Sequence, residues 1–197
     1  MKAEGGRRKA EESSASAAPR LARSRAKRAA SLPPSSFRLP PFGTGVPRCL
    51  VEWTGLPAPA EARTLAERAV EAALARDGLT GRSLCVLLVD DVDSARLHGE
   101  HFADPTPTDV MSFPDGTGDP ESGLTRLGDL AVGQGVARRV AAERGRPEHE
   151  ELALYVLHGT LHLLGFDDVE PADAAEMWAI QREVMSPLGV DIGDAPL

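Results

Sequence analysis

Residues 157–168 read LHGTLHLLGFDD. Two of the chain's five histidines, His158 and His162, stand four apart inside an apolar run. On an α-helix that spacing separates side chains by about 40° around the axis and about 6 Å along it, so both imidazoles leave one face as neighbours. Gly165 follows three residues after His162, where glycine readily takes the left-handed conformation that ends a helix and turns the chain. Such a turn can bring Asp168 back toward the two rings. The pattern HxxxHxxGxxD therefore offers two nitrogens and one carboxylate oxygen to a single ion and leaves a fourth tetrahedral position for water or substrate. Leu152, Val156, Leu157, Leu161, Leu163 and Leu164 occupy the other faces, where desolvation keeps the imidazoles neutral.

Other uses of these residues stay open at this level. The histidines can be hydrogen-bonded core residues, and Gly-Phe-Asp-Asp can be a helix exit with its carboxylates in water. Asp167 competes with Asp168 as ligand, outer partner or cap. The spacing matches the zinc helix of metzincin peptidases, HExxHxxGxxH, with Asp168 in the last ligand position and Gly159 where those enzymes carry a glutamate base. Zinc accepts the first change. The second disfavours peptidase chemistry by that route.

Outward from this helix, Pro147 suits a first helical position, with Glu148, Glu150 and Glu151 complementing the helix dipole. A preceding helix closes at Gly145 after Arg144. GDLAV (128–132), TDVMSF (108–113) and the apolar SLCVLLVDD (83–91) read as strands, as does LVEW from Leu50. PDGTGDPESG (114–123) reads as a loop. Helical patterns cover roughly 59–76, stopping at Gly78, and 93–102. A last amphipathic helix covers 172–185. Some strands follow one another without long crossovers, which favours an α+β fold over a strictly alternating parallel one.

Charge divides the chain. Residues 1–48 carry 11 Lys and Arg against 3 Asp and Glu, a net +8, while residues 49–197 carry 11 against 27, a net −16. The first segment is rich in Ala, Arg, Ser and Pro without apolar periodicity, so it reads as a disordered basic extension ahead of one domain at 49–197. A transit peptide, a nucleic-acid-binding arm and a functionless extension all fit that composition, although Glu4, Glu11 and Glu12 sit badly with the first. No apolar block follows its charges, which argues against a secretory signal. The longest apolar run, 152–166, is too short for a membrane span and is broken by both histidines. Cys49 and Cys85 form neither a disulfide framework nor a CxxC metal motif, so a reducing, cytoplasmic setting is expected.

HGTLHLLGFDD, together with PTDVMSFP (107–114) and LGDLAV (127–132), resembles the YbeY family of bacterial endoribonucleases over about residues 49–190. The resemblance implies a small mixed β-sheet packed by helices, with a metal site at the C-terminal end of a central helix. It implies one zinc ion and hydrolysis of single-stranded RNA. It further implies maturation of ribosomal RNA, notably at the small-subunit 3′ end, contact with that subunit, and a part in ribosome quality control. The family's HGxLHLxGYDH motif places zinc ligands at His158 and His162. Its third histidine falls on Asp168, a departure that a carboxylate can accommodate. A frequent family arginine aligns with Phe102, and neither Arg96 nor Arg126 is singled out as its substitute. Thr108, Asp109 and Ser112 match the family's TDVxSF and are expected to shape the cleft, unless they only satisfy strand ends and a loop.

The expected chemistry is metal-assisted phosphodiester hydrolysis, with the catalytic base unassigned. Two rivals are a zinc-dependent peptidase or other hydrolase, and a non-catalytic ribosome-associated factor whose zinc staples the last two helices. The acidic body needs local cations for RNA; Arg138, Arg139, Arg144 and Arg146 are the candidates, although a solvated helix face explains them better.

Overall fold

A computed structural model describes residues 49–118 and 123–194. The basic extension read over residues 1–48 lies outside them, as does part of the 114–123 loop. The described elements are β1 (Cys49–Gly55), α1 (Ala60–Arg76), β2 (Arg82–Val89), α2 (Asp91–Phe102) and β3 (Val110–Pro114). They continue with β4 (Thr125–Gly133), α3 (Gln134–Arg144), α4 (Glu148–Leu163) and α5 (Pro171–Met185), ending in a 3-10 turn, Ser186–Leu188.

One four-stranded sheet runs in the order β1-β2-β4-β3. β1, β2 and β4 are parallel, and β3 is antiparallel to β4 on one edge. The parallel neighbours β1 and β2 need a crossover, which α1 supplies; the antiparallel pair needs only a loop. The small mixed sheet with helices is the α+β architecture read from the sequence.

One face of the sheet builds the core. Leu84, Val86 and Leu88 of β2 alternate inward with Leu130 and Val132 of β4, all at most 1 % exposed. Strand periodicity puts Cys85 and Leu87 on the other face, where they are only half-buried. Over the inner face lies α4, buried along nearly its whole length from Glu151 to Leu161. α1 packs on α4 through the small side chains of Ala62, Ala66, Ala69 and Ala73, which repeat at helical spacing and let the two helices come close.

α4 meets the sheet most closely at Gly159. A Cβ there would sit 2.8 Å from Leu130 Cδ2, 2.8 Å from Val110 Cγ2 and 3.2 Å from Ser112 Oγ. Ser112 Oγ also donates to the Gly159 carbonyl at 3.1 Å, which fixes β3 against α4 one residue from His158.

Several local readings change. Asp90, assigned to a strand, is the N-cap of α2 and accepts from Asp93 N at 2.9 Å. Pro147 is the N-cap of α4 and not its first helical residue, and α5 begins one residue early, at Pro171. Glu151, read as a helix-dipole partner in the first turn, is fully buried. Arg144 binds it at 3.0 Å and Arg146 approaches at 3.9 Å, so the last residue of α3 and an arginine just beyond it dock the start of α4.

Burial, helped by Glu71 and Glu67, pushes the Cys49 thiol up to about 12. Only the thiolate alkylates readily. Iodoacetamide at pH 8 is therefore expected to leave Cys49 unmodified in the native chain and to label it in urea. Mass spectrometry of the peptide checks this, and native labelling at the denatured rate would contradict it.

Candidate metal centre

The last two turns of α4 carry His158 and His162, with ring centroids 4.7 Å apart and planes nearly perpendicular. The helix ends in a Schellman motif. Gly165, at φ +88°, donates to the His162 carbonyl at 2.9 Å, and Phe166 N donates to the Leu161 carbonyl at 3.0 Å. This turn does two things for the site. It aims the Phe166 carbonyl at His162 Nδ1, 3.2 Å away, so that this nitrogen keeps the proton and Nε2 keeps its lone pair. It also returns the chain so that Asp168 faces both rings.

Asp168 Oδ2 lies 3.5 Å from His158 Nε2, and Asp168 Oδ1 lies 3.7 Å from His162 Nε2. The two Nε2 atoms are 3.1 Å apart. Donors held by one tetrahedral ion at bond lengths of 2.0–2.1 Å sit about 3.3 Å from one another. The three separations, taken to the nearer Asp168 oxygen in each case, bracket that value, and one ligand atom from each side chain lies within 4.8 Å of the others, so these side chains can converge on a single first-row divalent ion. Among the described residues this is the one grouping of three such side chains able to hold an ion. Asp167 does not join it; its Oδ1 accepts from Asp168 N at 2.9 Å and so stiffens the turn.

Exposure rises across the cluster from 21 % for the His158 side chain through 27 % for His162 to 42 % for Asp168, so the site opens on the Asp168 side. Burial lowers the His158 pKa, and the neighbouring His162 ring lowers it further; Asp109, Asp168 and Gln181 oppose the shift. The net effect leaves a neutral ring at pH 7, the form that coordinates. Gln181, on α5, is a buried polar residue that the sequence reading missed. Its one local signal is a polar residue on the buried stripe Met177, Ile180 and Val184.

The TDV segment lies beside the cluster but is tied into the scaffold. Asp109 Oδ1 accepts from Thr108 Oγ1 at 3.0 Å and from Val110 N at 2.8 Å, while Thr108 N donates to Ser94 Oγ. Through space, the Asp109 charge favours a protonated His158. Phe102, at the family's arginine position, is half exposed and packs near Phe113 and His98.

The candidate cations are engaged elsewhere. Arg96 pairs with Asp93 and Glu100 on α2. Arg126 pairs with Asp115 and Asp129. Neighbouring Gly128 faces Leu163 on α4, so strand alternation turns Asp129, and Arg126 with it, to the opposite side of the sheet from the histidines. Arg138 pairs with Glu148, Arg139 with Asp91, and Arg144 and Arg146 with Glu151. The four arginines around α3 are thus matched to carboxylates, which leaves no unbalanced basic patch there.

Fold and cluster together define an α+β protein with a half-open His/His/Asp centre at a helix end. The family model described as Endoribonuclease YbeY matches residues 54–189. The Endoribonuclease YbeY of Leifsonia xyli subsp. xyli is 43 % identical over 107 residues, covering 52 % of this chain and 70 % of the relative. That of Alkalilimnicola ehrlichii is 39 % identical over 147 residues, covering 72 % and 84 %. The solution structure of TM1509 from Thermotoga maritima shares the fold, with a TM-score of 0.50 at 24 % identity over 74 % of this chain and 99 % of that one. The chain belongs to the YbeY endoribonuclease family. No helix among the described residues is long and apolar enough to cross a membrane.

Proposed function

We propose that this chain is a metal-dependent endoribonuclease of ribosomal RNA processing that cuts single-stranded RNA with one zinc ion held by His158, His162 and Asp168. The observation that carries the reading is the convergence of His158, His162 and Asp168, one ligand atom from each lying within 4.8 Å of the others, in a half-open site in a chain of this family. A divalent ion there supplies Lewis acidity toward a phosphoryl oxygen and lowers the pKa of a water. The protein's own residues set the geometry. Phe166 fixes the His162 tautomer, the Schellman turn delivers Asp168, and the open side leaves room for a phosphodiester.

Gly159 supports a nuclease over a zincin-type peptidase. Its Cα faces Leu130 and Val110, so even a glutamate at this position would point into the sheet and away from an open site. Maturation of the small-subunit 3′ end, contact with that subunit and a part in ribosome quality control complete the proposal. Residues 1–48 are read as a basic extension to a catalytic unit at 49–197.

The test compares purified protein on unstructured RNA, duplex RNA and casein, with metal content measured on the same sample. Near-stoichiometric zinc and cleavage of the unstructured RNA alone, abolished by a chelator and restored by zinc, are the expected results. Casein cleavage, or RNA cleavage unaffected by metal removal, would overturn the reading.

A further inference from the structure

Leu50, Leu56, Val92, Phe102 and Val169 are the exposed large apolar side chains among the described residues, and Phe102 alone of these is aromatic. Single exposed apolar residues are ordinary on a protein surface; a cluster of rings is not. The Phe102 ring centroid lies 5.5 Å from that of His98 and 6.2 Å from that of Phe113, and His101 meets Phe113 edge-on at 5.0 Å. Four rings from α2 and β3 thus make one continuous shelf, in which Phe102 is 52 % exposed.

The shelf is rigid before anything lands on it. Phe102 and His98 stand four apart on α2, so the Phe102 side chain lies back over the preceding turn. His98 Nδ1 donates to the Thr106 carbonyl at 2.9 Å. Thr106 is held in turn by Asp104 Oδ1, through its N–H at 3.1 Å and its hydroxyl at 2.8 Å. α2 stops directly after Phe102, where Ala103 takes φ +61°, the one positive φ outside glycine among the described residues. No further helical turn covers the ring.

β3 connects this shelf to the metal centre. It is an edge strand, and its successive side chains leave opposite faces. Ser112 reaches Gly159, the neighbour of His158, while Phe113 belongs to the shelf. A Cβ on Gly128 would meet both the Phe113 carbonyl and Leu163, the neighbour of His162. Shelf and donor cluster therefore flank one strand.

Charge selects the occupant. Arg96 is paired with Asp93 and Glu100, so α2 offers no spare cation to a phosphate. The four arginines around α3 are matched to carboxylates as well. A nucleobase is flat and uncharged, and stacking on exposed rings supplies affinity that does not depend on phosphate contacts. We infer that Phe102, backed by His98 and Phe113, stacks an unpaired base of the RNA strand that reaches the metal centre. This rests on the proposed cutting of single-stranded RNA and adds the residue that selects for it, because a base inside a duplex has both faces already covered.

The experiment measures binding and steady-state cleavage of a short unstructured RNA by the full chain supplied with zinc, with thermal melts as the control for folding. A second series of the same RNA carries one abasic nucleotide at each position in turn. Phe102→Ala is expected to raise KM about 5–100-fold, to keep kcat within about twofold, and to leave the salt slope of binding unchanged, since no phosphate contact is lost. Phe102→Trp keeps a ring and is expected to bind within about threefold of the parent. One abasic position is expected to weaken the parent by a similar factor and to weaken Phe102→Ala no further. A folded Phe102→Ala that binds RNA like the parent overturns the inference while leaving the nuclease reading standing. Equal weakening by tryptophan and alanine overturns it too, because packing against Phe113 explains that pattern. So does a parent dimer that Phe102→Ala splits, which would make the shelf a face between copies. If Phe102→Ala fails to melt cooperatively, the abasic series on the parent decides, and a flat series overturns the inference. A parent that neither binds nor cuts unpaired RNA removes the nuclease reading, and the shelf with it.

Discussion

Replacing His158 and His162 together with alanine is expected to cost roughly a thousandfold or more in RNA cleavage, because an ion held there, which would make water reactive near neutral pH, would be lost with its ligands. Metal analysis of the same sample should fall from one ion per chain to background. The rings are 21 % and 27 % exposed at the end of α4, and the helix is anchored upstream by Leu152, Val156 and Leu157, so the fold is expected to survive. Circular dichroism checks that point. A well-folded double variant that keeps both metal and cleavage would remove the centre from consideration. Asp168→Ala is expected to be milder, since the carboxylate is the most exposed donor and water can take its place.

The second large effect belongs to stability. Gly128 in LGDLAV lies just past a bulge at Leu127, where the β2–β4 register jumps from Ser83↔Arg126 to Leu84↔Gly128. A Cβ at Gly128 would overlap the Phe113 carbonyl oxygen of β3 and come within 3.0 Å of Leu163 Cδ2. The first obstacle is backbone and cannot step aside without breaking the β3–β4 ladder. At φ +149° the residue is also in a region that L side chains rarely adopt. Gly128→Ala is therefore expected to destabilise the fold by on the order of 3 kcal/mol. With a urea slope of about 2 kcal/mol per M, the midpoint moves down by about 1.5 M. An unchanged midpoint would show that β3 shifts freely, contrary to its ladder with β4 and its hydrogen bond to the Gly159 carbonyl of α4.

The same two motifs show what one-dimensional reading captures. The His158, His162, Gly165 and Asp168 pattern was legible because every step in it is local: a four-residue helical spacing, a left-handed glycine and a short return. The short apolar run SLCVLLV (83–89), with polar residues on both sides, announced a buried strand for a similar reason. Features set by docking were hidden. Glu151 was legible only as a helix-dipole partner, because its burial depends on how the end of α3 brings Arg144 and Arg146 alongside. Arg139 looked available because Asp91, its partner, is 48 residues away. Gln181 looked like one more polar residue on an amphipathic helix, since its burial depends on how α5 packs on the rest of the fold. Pro147 and Asp90 were displaced by a residue or a role because caps are fixed by backbone angles at element ends.

The three donor atoms come from eleven consecutive residues, His158 to Asp168. Loop-closure entropy grows only with the logarithm of the segment enclosed, and here that segment is mostly one helical turn and its exit. Once the end of α4 is in place, the centre thus costs little further chain entropy to assemble. An ion captured there would report on the order of this corner of the molecule, while the remote edge at β1 could fray without releasing it.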